Sequence, residues 1–101
     1  MSRRFANVDS YRLGTVNNVA VATTSTAAAS SAFGAQTYQI RVVAGAVCYM
    51  KVGDPAATPT AAATDAMLPP NWIDVITVTP GQKISFFSPT VQTVSVVEIT
   101  Q

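Results

Sequence analysis

Alternation of apolar and polar residues is the feature that most constrains what this chain can fold into. In TYQIRVV (residues 37–43), Tyr38, Ile40 and Val42 share one parity, while Gln39 and Arg41 take the other. A period of two puts those sets on opposite faces of an extended strand, one toward a core and one away from it. The pattern recurs in VCYMKVG, where Cys48, Met50 and Val52 oppose Val47, Tyr49 and Lys51. It recurs again in WIDVITVT, where Ile73, Val75 and Thr77 alternate with Trp72, Asp74, Ile76 and Val78. KISFFS and VQTVSVVEIT add two further strands, and NNVAVATTST (residues 17–26) adds one with Val19 and Val21 on a common face. A helical bundle is excluded by composition. Leucine occurs only at Leu13 and Leu68, whereas Ala, Val, Thr and Ser supply 51 of 101 residues. Strands of this length with turns every 8–12 residues predict an all-β fold. We expect a small antiparallel β-sandwich or barrel-like domain of about six to eight strands.

The punctuation divides the chain. Residues 1–16 have no clear period and read as an extended N-terminal arm, leaving residues 17–101 as a single β-domain. AAASSAFGAQ is a small-residue connection with Gly34 at a turn. Ala44-Gly45 separates two strands by about three residues, which predicts a hairpin. Residues 53–71 hold four prolines and no period; a connection of that length tends to be functional or to cover part of a core. A single helical turn over residues 60–66 fits it, with Met67 and Leu68 as anchors. At Pro80-Gly81 the order suits a type II turn, in which glycine accepts positive φ.

Only 11% of the residues are charged and the net charge is +1. That is too little for an electrostatic footprint on nucleic acid, and no run of about 18 apolar residues offers a membrane span. The N-terminus has arginines without a following apolar stretch, unlike a secretory signal, which places synthesis in a cytoplasm. Arg3, Arg4 and Arg12 nevertheless crowd the first twelve residues, with only Asp9 to offset them. So few charges leave a surface of small and weakly polar groups, poorly protected against association. Burial of part of it in an assembly follows.

Catalytic chemistry finds little support. There is no histidine and one cysteine, so the common general base, the His-activated nucleophiles and a zinc-binding cysteine cluster are all missing. Cys48, inside an apolar alternation, reads as a core residue. Gly53-Asp54-Pro55 lacks the pattern of a phosphate or calcium loop. Glu98, beside Val96, Val97 and Ile99, is the most conspicuous carboxylate; we expect it solvated or paired with Arg41 or Lys83 across the sheet. No catalytic, cofactor or metal site is assigned. Phe86 and Phe87 must split between the two faces of one strand, which makes them candidates for a subunit contact. Trp72, Tyr38 and Tyr49 could stack on a sugar.

The order of segments from residue 36 to 99 resembles a family of small virion proteins of tailed bacteriophages. The residues that carry it are TYQIRVV, CYMKVG, the loop DPAATPTAAATD, LPPNW before a strand, and TVTPGQKIS, with the Thr-Pro-Gly-Gln-Lys turn at 79–83 the most specific. The resemblance implies a non-enzymatic structural β-domain on the virion, most nearly a capsid decoration (cement) protein on the outer surface of the head. The implied partners are the major capsid protein and further copies of the chain, with a trimer favoured. On this reading Arg3, Arg4, Phe5, Tyr11 and Arg12 of the arm reach a neighbour, whose carboxylates the arginines can grip. The alternative is a head-fibre or tail-associated domain that binds a host glycan.

Overall fold

The computed structural model describes residues 12–23, 26–54 and 58–100. Among them lie nine strands: β1 (Arg12–Val16), β2 (Val19–Val21), β3 (Ala28–Ala29), β4 (Gln39–Val43), β5 (Cys48–Gly53), β6 (Ala66–Leu68), β7 (Ile73–Thr77), β8 (Lys83–Phe87) and β9 (Gln92–Thr100). Every pairing is antiparallel. One sheet has the order β1-β9-β4-β7, with β2 also on β9; the other has the order β3-β8-β5-β6. The all-β expectation holds, as a two-sheet sandwich. Three short strands, β1, β3 and β6, were not anticipated, and residues 12–16 of the expected arm are strand β1. Residues 1–11 lie outside the described residues.

The core lies between the sheets. Val19, Val21, Ile40, Val42, Val94 and Val96 come from the first sheet and meet Cys48, Leu68, Ile84 and Phe86 from the second, with Phe33, Ala44 and Val78 closing the ends. Val19 with Val21, Ile40 with Val42, and Cys48 with Met50 and Val52 lie on the shared faces that alternation gave them, whereas Tyr38, of the same parity as Ile40, is exposed. Phe86 is fully buried there, which removes it from any subunit contact.

The connections differ from expectation in one systematic way. β4 and β5 do not form a hairpin: they belong to opposite sheets, and residues 44–47 run from one sheet to the other. None of residues 44–47 has the positive φ with which tight hairpin loops turn back. The Gln92 side chain fixes the crossing, accepting from Ala46 N and donating to Ala46 O, at 3.2 and 3.0 Å. β7 and β8 are likewise in opposite sheets. Their Thr79-Pro80-Gly81-Gln82 turn has Gly81 at φ 87° and a Gln82 N–H to Thr79 O bond of 3.1 Å, as a type II turn requires.

Polar side chains also mend an interrupted edge. β1 and β2 succeed each other along β9, and the two asparagines between them fill the gap. Asn17 N donates to Val96 O at 2.7 Å, and Val96 N donates to Asn18 Oδ1 at 2.9 Å. The long connection after β5 covers the outer face of the second sheet. Pro59 lies directly on Gly53, where a Cβ would come within 2.6 Å of the ring, and Ala61 N donates to Ser85 Oγ at 3.0 Å. No helical turn forms over 60–66. Instead a turn closes through Asp65 N to Ala62 O, capped by Ala62 N to Asp65 Oδ2 at 2.7 Å, and β6 follows. Leu68 is buried as an anchor, but Met67 is exposed.

Candidate interaction surface

The residues singled out for chemistry turn out to serve the fold. Glu98 is 5% exposed. Its Oε1 accepts from Gly34 N at 3.1 Å and from the Thr37 hydroxyl, so it fastens the 34–37 turn to the end of β9. The expected pairing with Arg41 or Lys83 is not made. Glu98 is paired in register with Ile40 and faces inward, whereas Arg41 is paired with Val97 and faces out. Lys83 donates to Thr58 Oγ1 at 3.2 Å. Cys48 is fully buried, and burial pushes its thiol up to about 11, which keeps it protonated and unreactive. Among the described residues no cluster of three or more His, Cys, Asp or Glu side chains could hold a metal ion.

The aromatic residues do not assemble into one platform. Tyr38 and Trp72 are both exposed, but they flank opposite ends of the β4–β7 pair. Six residues of strand separate those ends, about 20 Å. Tyr49 and Phe87 face out of the second sheet, directly paired, with ring centroids 6.4 Å apart. Met67 extends that row on β6. Phe87 is thus the outward member of its pair, and Arg12 is exposed on β1. Arg3, Arg4, Phe5 and Tyr11 lie outside the described residues.

A more extensive apolar surface covers the outside of the first sheet. Antiparallel partners point to the same face, so register alone assembles it. One row runs Leu13, Ile99, Gln39, Thr77; the next holds Val97, Arg41 and Val75; the third holds Ser95, Val43 and Ile73. Val97 and Ile99 are buried at the centre. Leu13 at one margin is 55% exposed, and Ile73 and Val75 at the other are 55% and 40% exposed. Arg41 is the one charge among these rows, and its buried Nε has no hydrogen-bond partner among the described residues. The sequence carried a signal for this surface: β7 is apolar at both parities, so turning Ile76 inward commits Ile73 and Val75 to the outside.

Compared with known protein families, curated proteins and solved structures, the chain and its fold give no match.

Proposed function

We propose that this chain is a non-enzymatic structural protein of a tailed-bacteriophage virion, a decoration protein that binds the major capsid lattice from outside and stabilises the head. The observation that carries the reading is the apolar outer face of the first sheet, with Leu13, Ile73 and Val75 open to solvent on a chain only 11% charged. Large apolar side chains open to solvent at both margins of one sheet face, on so lightly charged a domain, suit a surface that a partner covers. A protein present in many copies on a lattice can rely on individually weak contacts, because multivalency multiplies them. The sandwich supplies a rigid support for such a face, and the resemblance of residues 36–99 to small phage virion proteins supplies the class of partner.

The test is a pull-down of tagged protein with emptied tailed-phage heads, alongside mass determination of the free protein. Stoichiometric binding to heads supports the reading. Failure to bind heads overturns it. Retention on host polysaccharide, lost on Trp72→Ala or Tyr49→Ala, would turn the assignment to the glycan-binding alternative.

A further inference from the structure

A sheet edge presents unpaired peptide groups to any other strand, and soluble proteins blunt it by shortness, proline, bulges or charge. Most edges of this sandwich are blunted by their backbone. The edge shared by β1 and β2 is interrupted at Asn17 and Asn18, after a register shift between Leu13 and Val16. β3 has two residues, and β6 has three, followed at once by Pro69 and Pro70. β7 differs. It runs for five residues in unbroken register with β4 and, among the described residues, has no other partner. The Val78 N–H donates to Tyr38 O at 2.9 Å, so alternation along the ladder turns the peptide groups of Ile73, Val75 and Thr77 toward the open side. No lysine or proline lies among them, but Asp74 does. It is paired with the fully buried Val42, so it points between the sheets, and it is only half-buried there. At the last strand of a sheet, such a side chain stays hydrated by way of the open edge.

We infer that β7 is a latent interface for the β7 of a second copy, and that the Asp74 carboxylate keeps it closed. Backbone and outward side chains alone suit the pairing. Two copies related by a two-fold axis at Val75 would exchange bonds between Val75 and Val75, and between Ile73 and Thr77, using the peptide groups that face the open side. The inward face forbids it. That register sets Asp74 of each copy against Ile76 of the other, and a shift of two residues sets Asp74 directly against Asp74. In either case the added strand seals the route by which the carboxylate reaches water. Arg41, on the neighbouring strand, cannot compensate, because it is paired with Val75 and faces out. An ionised carboxylate buried without a partner opposes association strongly. Copies of so lightly charged a chain therefore stay apart along this edge and leave contact to their faces. The inference does not depend on what the outer face of the first sheet binds.

Native mass spectrometry of the full chain and of Asp74→Val tests it, together with amide exchange in β7. In the native chain Ile73, Val75 and Thr77 should exchange fast, and Asp74 and Ile76, bonded to β4, slowly. Asp74→Val should strengthen association by about a hundredfold or more. It should run at a mass above that of the native chain, with slow exchange now at Ile73, Val75 and Thr77. Adding Val75→Pro separates edge pairing from general stickiness. The Val75 N–H faces the open side, so proline there removes a bond to the second copy and none to β4. The double variant should return to the native mass with an unchanged far-UV spectrum. Three results overturn the inference: an Asp74→Val chain with native mass and fast exchange at the three amides, association of Asp74→Val that survives Val75→Pro, or slow exchange at those amides in the native chain. Binding of the native chain to heads, with or without these results, bears only on the capsid reading.

Discussion

Replacing Glu98 and its hydroxyl partner tests whether a buried carboxylate holds the turn before β4. Thr37→Val keeps the shape and removes the donor; Thr37 is itself buried, at 3% exposure. It leaves the Glu98 carboxylate with only the Gly34 amide. Hydrogen bonds to charged groups contribute about 1.5–3 kcal/mol, so Thr37→Val should cost about that much. Glu98→Gln keeps an oxygen to accept but brings an NH₂ into a site built from donors, at a cost of about 1–3 kcal/mol. The two changes act on one bond, so the double variant should fall short of the sum by about 1 kcal/mol or more. Urea denaturation followed by far-UV circular dichroism measures all three, and amide exchange at Gly34 reports the turn directly. Arg41→Gln supplies the control: on the opposite face of the sheet, it should be additive with Glu98→Gln to within about 0.5 kcal/mol. Strict additivity between positions 37 and 98, or strong coupling between 41 and 98, would refute the assignment and return Glu98 to a cross-sheet ion pair.

Two further outcomes follow from burial. Phe86→Ala should cost about 3–5 kcal/mol by opening a cavity between the sheets, whereas Phe87→Ala, on the outer face against Tyr49, should cost clearly less; equal costs in thermal or urea melts would contradict the division of faces. Cys48 ties stability to alkaline pH: its thiol is raised from 9.0 to about 11 in the fold, so its contribution is complete below pH 9 and fades as pH climbs toward 11. The unfolded chain ionises first, and the loss reaches about 2–3 kcal/mol. Melting temperatures between pH 8 and 11.5 should fall more steeply for the native chain than for Cys48→Ala, and parallel slopes would contradict the shift.

Side-chain parity was legible in the sequence, and partner strands were not. Val19 with Val21, Ile40 with Val42, and Cys48 with Met50 and Val52 share the faces that alternation gave them, because the pleat sends every second side chain the same way. Alternation says nothing of which sheet a strand joins. A glycine-containing link of a few residues serves a hairpin within one sheet or a crossing between two. Here the choice rests on distant partners such as Gln92, which grips residue 46 from the start of β9. β3 and β6 were missed for a related reason. Two or three residues carry no period, and they become strands only because β8 and β5 offer them an edge. Glu98 was visible as an oddity, but its role depended on Gly34 and Thr37, more than sixty positions earlier in the chain.

The way this fold treats its other buried polar groups gives Arg41 its significance. Ser30 Oγ accepts from Ile84 N, and Ser85 Oγ accepts from Ala61 N. Ser88 Oγ accepts from Gln92 Nε2 and Thr90 N, and Thr37 donates to Glu98. A sandwich with so few charges holds its crossings together through these bonds, and leaving any of them unmade would cost about 1–3 kcal/mol. Among the described residues Arg41 Nε is the exception. It lies in the apolar face of the first sheet, between Val97 and Val75 and next to the open edge. That unmade bond is a cost of the same order, carried by the row that sets the Arg41 stem between Val97 and Val75.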